Sequence, residues 1–193
     1  DIYINWPSDG NILRQTRGRI IHSKRKKPSS FWEHRFRNGI KTKKWMSMPI
    51  TGKLKDVSKK KISNNRFSFS ELDLTDEDII SRSNKLLPYE KVDTLTAYVI
   101  ESKQMDKKGN IQESKKLWID IDNYMILKVE SYTRNDRLYR SFKCSNFIYL
   151  GDVLFPLNID VQDFKSKTNI QITIREIELN PEFDMNIFIP QDQ

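Results

Sequence analysis

A mainly β fold is predicted by three features of this 193-residue chain. Apolar residues recur two apart, above all in LWIDIDNYMILKVESYTRNDRLYRSF at 117–142, and that spacing sends them to one side of an extended strand. Ile, Val, Thr and aromatic residues abound while Ala97 is the sole alanine, a balance that favours strand over helix. Turn-forming clusters punctuate the runs at short intervals, as hairpin-connected strands require.

In chain order, two extended runs flank Lys26-Lys27-Pro28-Ser29-Ser30, a turn by composition. Trp32, His34 and Phe36 then fall on one side of a strand, with Glu33, Arg35 and Arg37 on the other. Asn38-Gly39 predicts a tight hairpin because both positions tolerate positive φ, and the next strand carries Trp45 and ends near Pro49. Residues 51–91 differ in character. Thr75 is placed to cap a short helix with Asp78 at its third position, and Asp76, Glu77 and Asp78 suit the positive end of the helix dipole. That helix is expected to end by Asn84, with Leu86 to Glu90, which includes Pro88, as a loop or lead into the next strand.

From Val92 onward the pattern is strand and turn. A hairpin is expected around Lys108-Gly109-Asn110, and a tight turn at Asp120 to Tyr124 opens a strand whose Met125, Leu127 and Val129 share a face. Turns at Asn135-Asp136, Gly151-Asp152 and Lys165-Ser166-Lys167 follow. The last strand, NIQITIREIEL, puts Ile170, Ile172 and Ile174 on one side and is expected to stop at Asn180-Pro181, since proline cannot donate to a ladder. Such short connections predict a sequential antiparallel meander, and Phe183, Ile187 and Phe188 are enough to pin the tail.

Composition narrows the chemistry. Cys144 is the single cysteine, so no internal disulfide forms, and its register with Phe142 and Ile148 reads as core. His22 and His34 are the only histidines and lie among basic residues in expected strands, which reads as surface or half-buried imidazole. Asp120, Asp122 and Asn123 resemble the start of a calcium loop without its glycine and closing glutamate, and turn chemistry explains them. No Gly-rich phosphate loop occurs. No catalytic residue, metal site or cofactor is therefore predicted.

Charge is uneven. Between Arg14 and Lys61 stand seventeen Lys or Arg against Glu33 and Asp56, +15 locally, so the rest of the chain carries −7 of the net +8. A basic first third suits an anionic membrane surface, at ~1 kcal/mol per cation near the surface, or else reflects solvated lysines on strand faces. Nucleic acid is disfavoured as a partner, because Trp32 and Phe36 project opposite to Arg35 and Arg37 and rings would not share a face with charges. No stretch approaches the ~18 apolar residues of a membrane span, and the opening at Asp1 without methionine or apolar run suits a processed or trimmed chain.

The order of features resembles the LolA-like proteins that sort lipoproteins to the outer membrane. The resemblance rests on RGRI at 17–20, KWMSMP at 44–49, RFSFSELDLTDEDI at 66–79, LWIDIDNYMILKVESY at 117–132, FPLNIDVQD at 155–163 and TNIQITIREIELNPEFDMNIF at 168–188. The family's long initial helix has no counterpart in residues 1–14. The resemblance implies a single LolA-like domain over 1–193. Its sheet would be strongly curved and antiparallel, an incomplete, half-open β-barrel with short helical lid segments. It further implies export to the periplasm or cell envelope and a non-enzymatic role in holding lipoprotein acyl chains, or another amphiphile, with a membrane-bound donor or acceptor protein as a possible partner.

Alternation alone nominates the cavity residues. They are Trp32, Phe36 and Trp45 in the first third, Leu95, Val99, Trp118, Met125, Leu127 and Val129 in the middle, and Ile159, Ile172 and Ile174 towards the end. Lid candidates are Phe67, Phe69, Leu72, Leu74, Ile79 and Ile80. The competing reading of the same apolar positions is a sealed core, and the competing function is a protein interaction module of the cell envelope.

Overall fold

The computed structural model describes residues 2–8, 10–20, 29–48, 50–58, 79–182 and 184–192. These residues are mainly β and form two antiparallel sheets, neither closed, of five and seven strands. The chain divides into two compact units, Asp1–Ser63 with Glu178–Gln193, and Asn64–Ile177.

The first unit holds β1 (Ile2–Asn5), β2 (Ile12–Ile20), β3 (Ser29–Phe36), β4 (Lys43–Ser47) and β5 (Leu54–Asp56), each paired with the next. The Asn-Gly signal works as expected. Asn38 and Gly39 sit at φ 58° and 68°, the mirror-image turn whose twist suits a hairpin between β3 and β4. Gly18 lies opposite Phe31, and a Cβ there would stand 2.1 Å from the ring, so the absent side chain seats the aromatic. The tail is pinned to this sheet. Phe188, in the 3-10 turn Met185–Phe188, is buried, the Trp32 indole N–H donates to the Ile187 carbonyl at 2.9 Å, and the Leu54 amide donates to Asp192 at 2.6 Å.

The second unit is a sequential meander of β6 (Ser83–Val92), β7 (Leu95–Met105), β8 (Ile111–Asp120), β9 (Ile126–Thr133), β10 (Leu138–Leu150), β11 (Val153–Asp163) and β12 (Thr168–Thr173). Its turns fall where composition placed them. Asp106 accepts from the Lys108 and Asn110 amides, both at 2.8 Å, with Gly109 at φ 79°. Asp120 accepts from the Asn123 amide at 2.8 Å and Tyr124 takes φ 55°, so the would-be calcium ligands build a turn.

Four details differ from the sequence reading. Ser29 and Ser30, expected in a turn, open β3 and pair with Ile20 and Arg19, while His22, Lys26, Lys27, Pro28 and Phe183 lie outside the described residues. Leu86 to Glu90 belongs to a ten-residue strand, β6, which already includes Ser83 and Asn84; as the edge strand it accommodates Pro88, where the ladder shifts between Leu87 and Glu90. The final strand stops at Thr173 rather than at Asn180-Pro181. Thr173 pairs with Asn158 and the Ile174 amide still donates to the Leu157 carbonyl, which is the last bond of this ladder. Lastly, β9 does not alternate strictly. Trp118 faces Lys128 while Ile119 faces Ile126, which leaves Leu127 as the extra residue of a β-bulge and moves it off the face of Val129.

The lid expectation lies largely outside the described residues, which omit Phe67, Phe69, Leu72, Leu74 and the capping Thr75. Ile79 and Ile80 are helical and exposed, followed by a turn into β6. Among the described residues no helix is long and apolar enough to cross a membrane.

Candidate functional site

The second sheet carries its apolar residues in register. Ile100 faces Leu117, Leu117 faces Val129, Val129 faces Phe142, Phe142 faces Val161 and Val161 faces Ile170, one row of cross-strand neighbours from β7 to β12. At ~4.8 Å per strand step the row runs about 24 Å. Cys144, Ile159 and Ile172, themselves cross-strand neighbours, widen the same cluster, with Ile119, Ile126 and Ile174 packed against it. The middle of the face is buried, while Ile170, Ile172 and Ile174 at the β12 margin are only half-buried. Burial pushes the Cys144 thiol up to about 12, so it stays protonated and behaves as a small apolar residue.

Two residues further along every strand, on the same face, the character reverses. Ser102, Lys115, Ser131, Arg140, Asp163 and Thr168 form the adjoining cross-strand row, polar throughout. Where the two rows meet is a pocket of about 120 Å³, lined by Val129 and Phe142 from the apolar row, by Lys115, Ser131 and Arg140 from the polar one, and by Glu113, Tyr139 and Ser141. In its wall the Tyr139 hydroxyl donates to Glu113 at 2.5 Å, and Arg82 stands 3.6 Å from the other oxygen of that carboxylate. Burial and the Glu113 carboxylate both push the Tyr139 hydroxyl up, so it is a neutral donor.

The opposite face has its own cluster. Val99 and Ile100 are successive in β7, so the Val99–Trp118 pair points away from the Ile100–Leu117 pair. Val92, Ala97, Val99, Trp118 and Leu127 are buried together, with Leu95 and Met125 packed against them. Polar groups close over Trp118. Lys128 and Lys116 lie 4.2 and 4.7 Å from its ring centroid, and its N–H donates to Glu90 at 2.8 Å, a carboxylate that also pairs with Lys116.

In the first unit Trp32 faces Trp45 across the strands, and the His34 ring meets Trp45 edge-on at 5.0 Å and Phe36 at 6.5 Å. Burial pushes the His34 imidazole down, and its Nε2 lies 2.9 Å from the Phe188 carbonyl. Trp32 is 1% exposed with its N–H committed to the tail, so it offers no face to a stacking base. The strands also bury a charge cluster that alternation did not announce. Glu33, on β3, accepts from Arg14 of β2 at 2.7 Å and from Lys44 of β4 at 2.9 Å, with Arg14 and Glu33 both buried. Glu33 and Lys44 are direct cross-strand partners, which was readable only once the register was known.

The twelve nominated cavity residues therefore occupy three places. Trp32, Phe36 and Trp45 belong to the first sheet; Leu95, Val99, Trp118, Met125 and Leu127 share one face of the second; Val129, Ile159, Ile172 and Ile174 share the other. Lys115, Ser131 and Arg140, which were not nominated, form a polar interruption that lines up only across paired strands.

No curated protein matches the chain. Among solved structures it is similar to a "putative outer membrane lipoprotein-sorting protein domain" from Vibrio parahaemolyticus, with a TM-score of 0.65 at 16% identity over 97% of this chain and 86% of that one. It is similar also to a DUF1329 family protein from Desulfovibrio piger, with a TM-score of 0.62 at 16% identity over 97% and 86% of the two chains. A LolA superfamily protein from Nitrosomonas europaea aligns with a TM-score of 0.47 at 16% identity over 92% and 84%. A family model described as "Uncharacterized protein" matches residues 20–192. The chain belongs to that family, and its fold is the one seen in the Vibrio and Desulfovibrio structures.

Proposed function

We propose that the protein is a non-enzymatic carrier of the periplasm or cell envelope. It holds the acyl chains of a lipoprotein, or another amphiphile, for sorting towards the outer membrane. The observation that carries this reading is the apolar row from Ile100 to Ile170, continuous across six strands and half-open at its β12 margin. An acyl chain laid along such a row gains ~0.8 kcal/mol per buried CH₂, so ~14 of them supply roughly 11 kcal/mol before ordering costs. The likeness of the fold to a domain described as lipoprotein-sorting supports the same reading, and its extent over both units supports treating 1–193 as one domain. Of the nominated residues, Val129, Ile159, Ile172 and Ile174 are assigned to the acyl face, with a membrane-bound protein and an anionic lipid surface as donor or acceptor.

Ile172 is the residue to test, because it is half-buried at the margin and its replacement spares the packed middle. Ile172→Glu is expected to weaken binding of a fluorescent fatty acid by about tenfold or more, since a carboxylate on the face must be desolvated under the chain. The circular dichroism spectrum should be retained. Undiminished binding by the folded variant would remove this face from consideration. Lipid extraction and native mass spectrometry of the purified protein supply the complementary observation: a copurifying acyl species supports the carrier, whereas a tight protein partner without lipid favours an interaction module.

A further inference from the structure

We infer that the free edge of β12 binds peptide, and that the acylated cargo of this protein adds an extended segment of its own chain there as a further strand. The inference rests on the carrier reading and adds to it how the cargo's polypeptide is held. Its basis is the direction of the backbone groups. The Ile174 amide donates to the Leu157 carbonyl at 2.7 Å, and Ile172, Ile170 and Thr168 follow at steps of two in the same register, so their amides also point to β11. The N–H and C=O groups of Asn169, Gln171 and Thr173 therefore point outward, without a backbone partner among the described residues. The other sheet edges are guarded. β6 carries Lys85, Pro88, Glu90 and Lys91 and a break in its ladder, β5 has three residues with the Leu54 amide taken by Asp192, and β1 has only four. By contrast β12, TNIQIT, runs for six residues without a charge, proline, glycine or bulge.

Position decides what fills the edge. Ile170 and Ile172 end the apolar face at this strand and are half-buried, so an added strand sets alternate side chains beside them and its acyl group at the mouth of the row. A second copy of the chain fits less well. Six paired residues span only about 20 Å of one edge, short of the ~1,000 Å² that a stable interface needs, and the pairing would close the margin through which an acyl chain reaches the row. A peptide tethered by its own acyl chain needs no such area, because the anchor raises its effective concentration at the edge. Main-chain bonds carry the pairing, so the edge accepts segments of differing sequence, provided that the side chains set beside Ile170 and Ile172 are uncharged.

The test compares hexadecanol with a hexadecanoyl pentapeptide amide of alternating valine and threonine, on the intact protein, by displacement of Nile red. The lipopeptide is expected to displace the dye at about tenfold lower concentration than hexadecanol. Gln171→Pro removes one outward N–H and leaves the inward bonds of Ile170 and Ile172 in place. It should bring the two probes to within about twofold of one another with hexadecanol unchanged, whereas Gln171→Ala should keep the advantage. Two further lipopeptides, N-methylated at the odd or at the even residues, should split on the native protein: one keeps the advantage and the other loses it, because a paired strand turns alternate amides to its partner. These analogues decide alone if the proline variant does not fold. An advantage that survives Gln171→Pro, an equal loss with Gln171→Ala, or methylated analogues that behave alike overturns the peptide edge and leaves the acyl reading standing. Equal displacement by lipopeptide and hexadecanol on the native protein does the same. If neither displaces the dye, the carrier reading itself falls and takes the edge with it.

Discussion

Leu127→Glu is expected to leave little folded protein. Leu127 is fully buried among Val92, Ala97, Val99 and Trp118, and the bulge that puts it there leaves no strand partner opposite it. A carboxylate at that point is shut off from water among apolar side chains, with Lys116 and Lys128 held over the Trp118 ring, and a buried polar group without a hydrogen bond already costs several kcal/mol before the loss of leucine packing. Leu127→Ala, which removes packing alone, should cost about 2–5 kcal/mol. Against a total stability of roughly 5–15 kcal/mol, the alanine variant should fold with a lowered midpoint in urea and the glutamate variant should lose its cooperative transition. A glutamate variant with a native-like midpoint would mean that Leu127 faces an accessible space, and would return it to the acyl face from which the bulge removes it.

The Leu127 case shows what alternation can and cannot carry. Met125, Leu127 and Val129 are equally spaced in sequence, and a strict period of two places them together. One extra residue against β8 breaks the period, and that residue is defined by the partner strand rather than by its own neighbours. The hairpin at Asn38-Gly39 needed no partner, because both positive φ angles follow from the residues in the turn itself.

The site was legible in the same graded way. Alternation put Val129, Ile159, Ile172 and Ile174 on one apolar face and the structure keeps these four together, but in β8 the nominated Trp118 points the other way and its neighbour Leu117 completes the row. The polar row beside it was hidden, since Lys115, Ser131 and Arg140 each read as an ordinary solvated strand residue until pairing sets them side by side. The first sheet hid its charges for a different reason. Glu33 alternates with Trp32 and His34, so a one-sided core predicts that it is wet, whereas it is 7% exposed between Arg14 and Lys44.

That buried carboxylate governs how the first unit should respond to acid. Burial pushes the Glu33 carboxyl up, but the hydrogen bonds and charges of Lys44 and Arg14 outweigh it and hold the group below the usual carboxylate range. A pKa depressed by folding means that the unfolded chain binds the proton more tightly, so stability rises with pH through this window. The contribution is complete above an unfolded value of about 4.3 and disappears as pH falls through the lower folded one. Glu33→Gln should therefore flatten the acid limb of a stability-versus-pH curve followed by tryptophan fluorescence, since Trp32 and Trp45 sit in the same sheet. Glu33→Ala should cost about 3–5 kcal/mol at neutral pH, because it leaves the buried Arg14 guanidinium and the Lys44 ammonium without the carboxylate between them. Replacing Arg14 and Glu33 together by methionine and leucine removes both the charge and its partner, and should recover most of that loss. If the double replacement is as damaging as Glu33→Ala alone, the side chains around Arg14 rather than its ion pair hold these strands together.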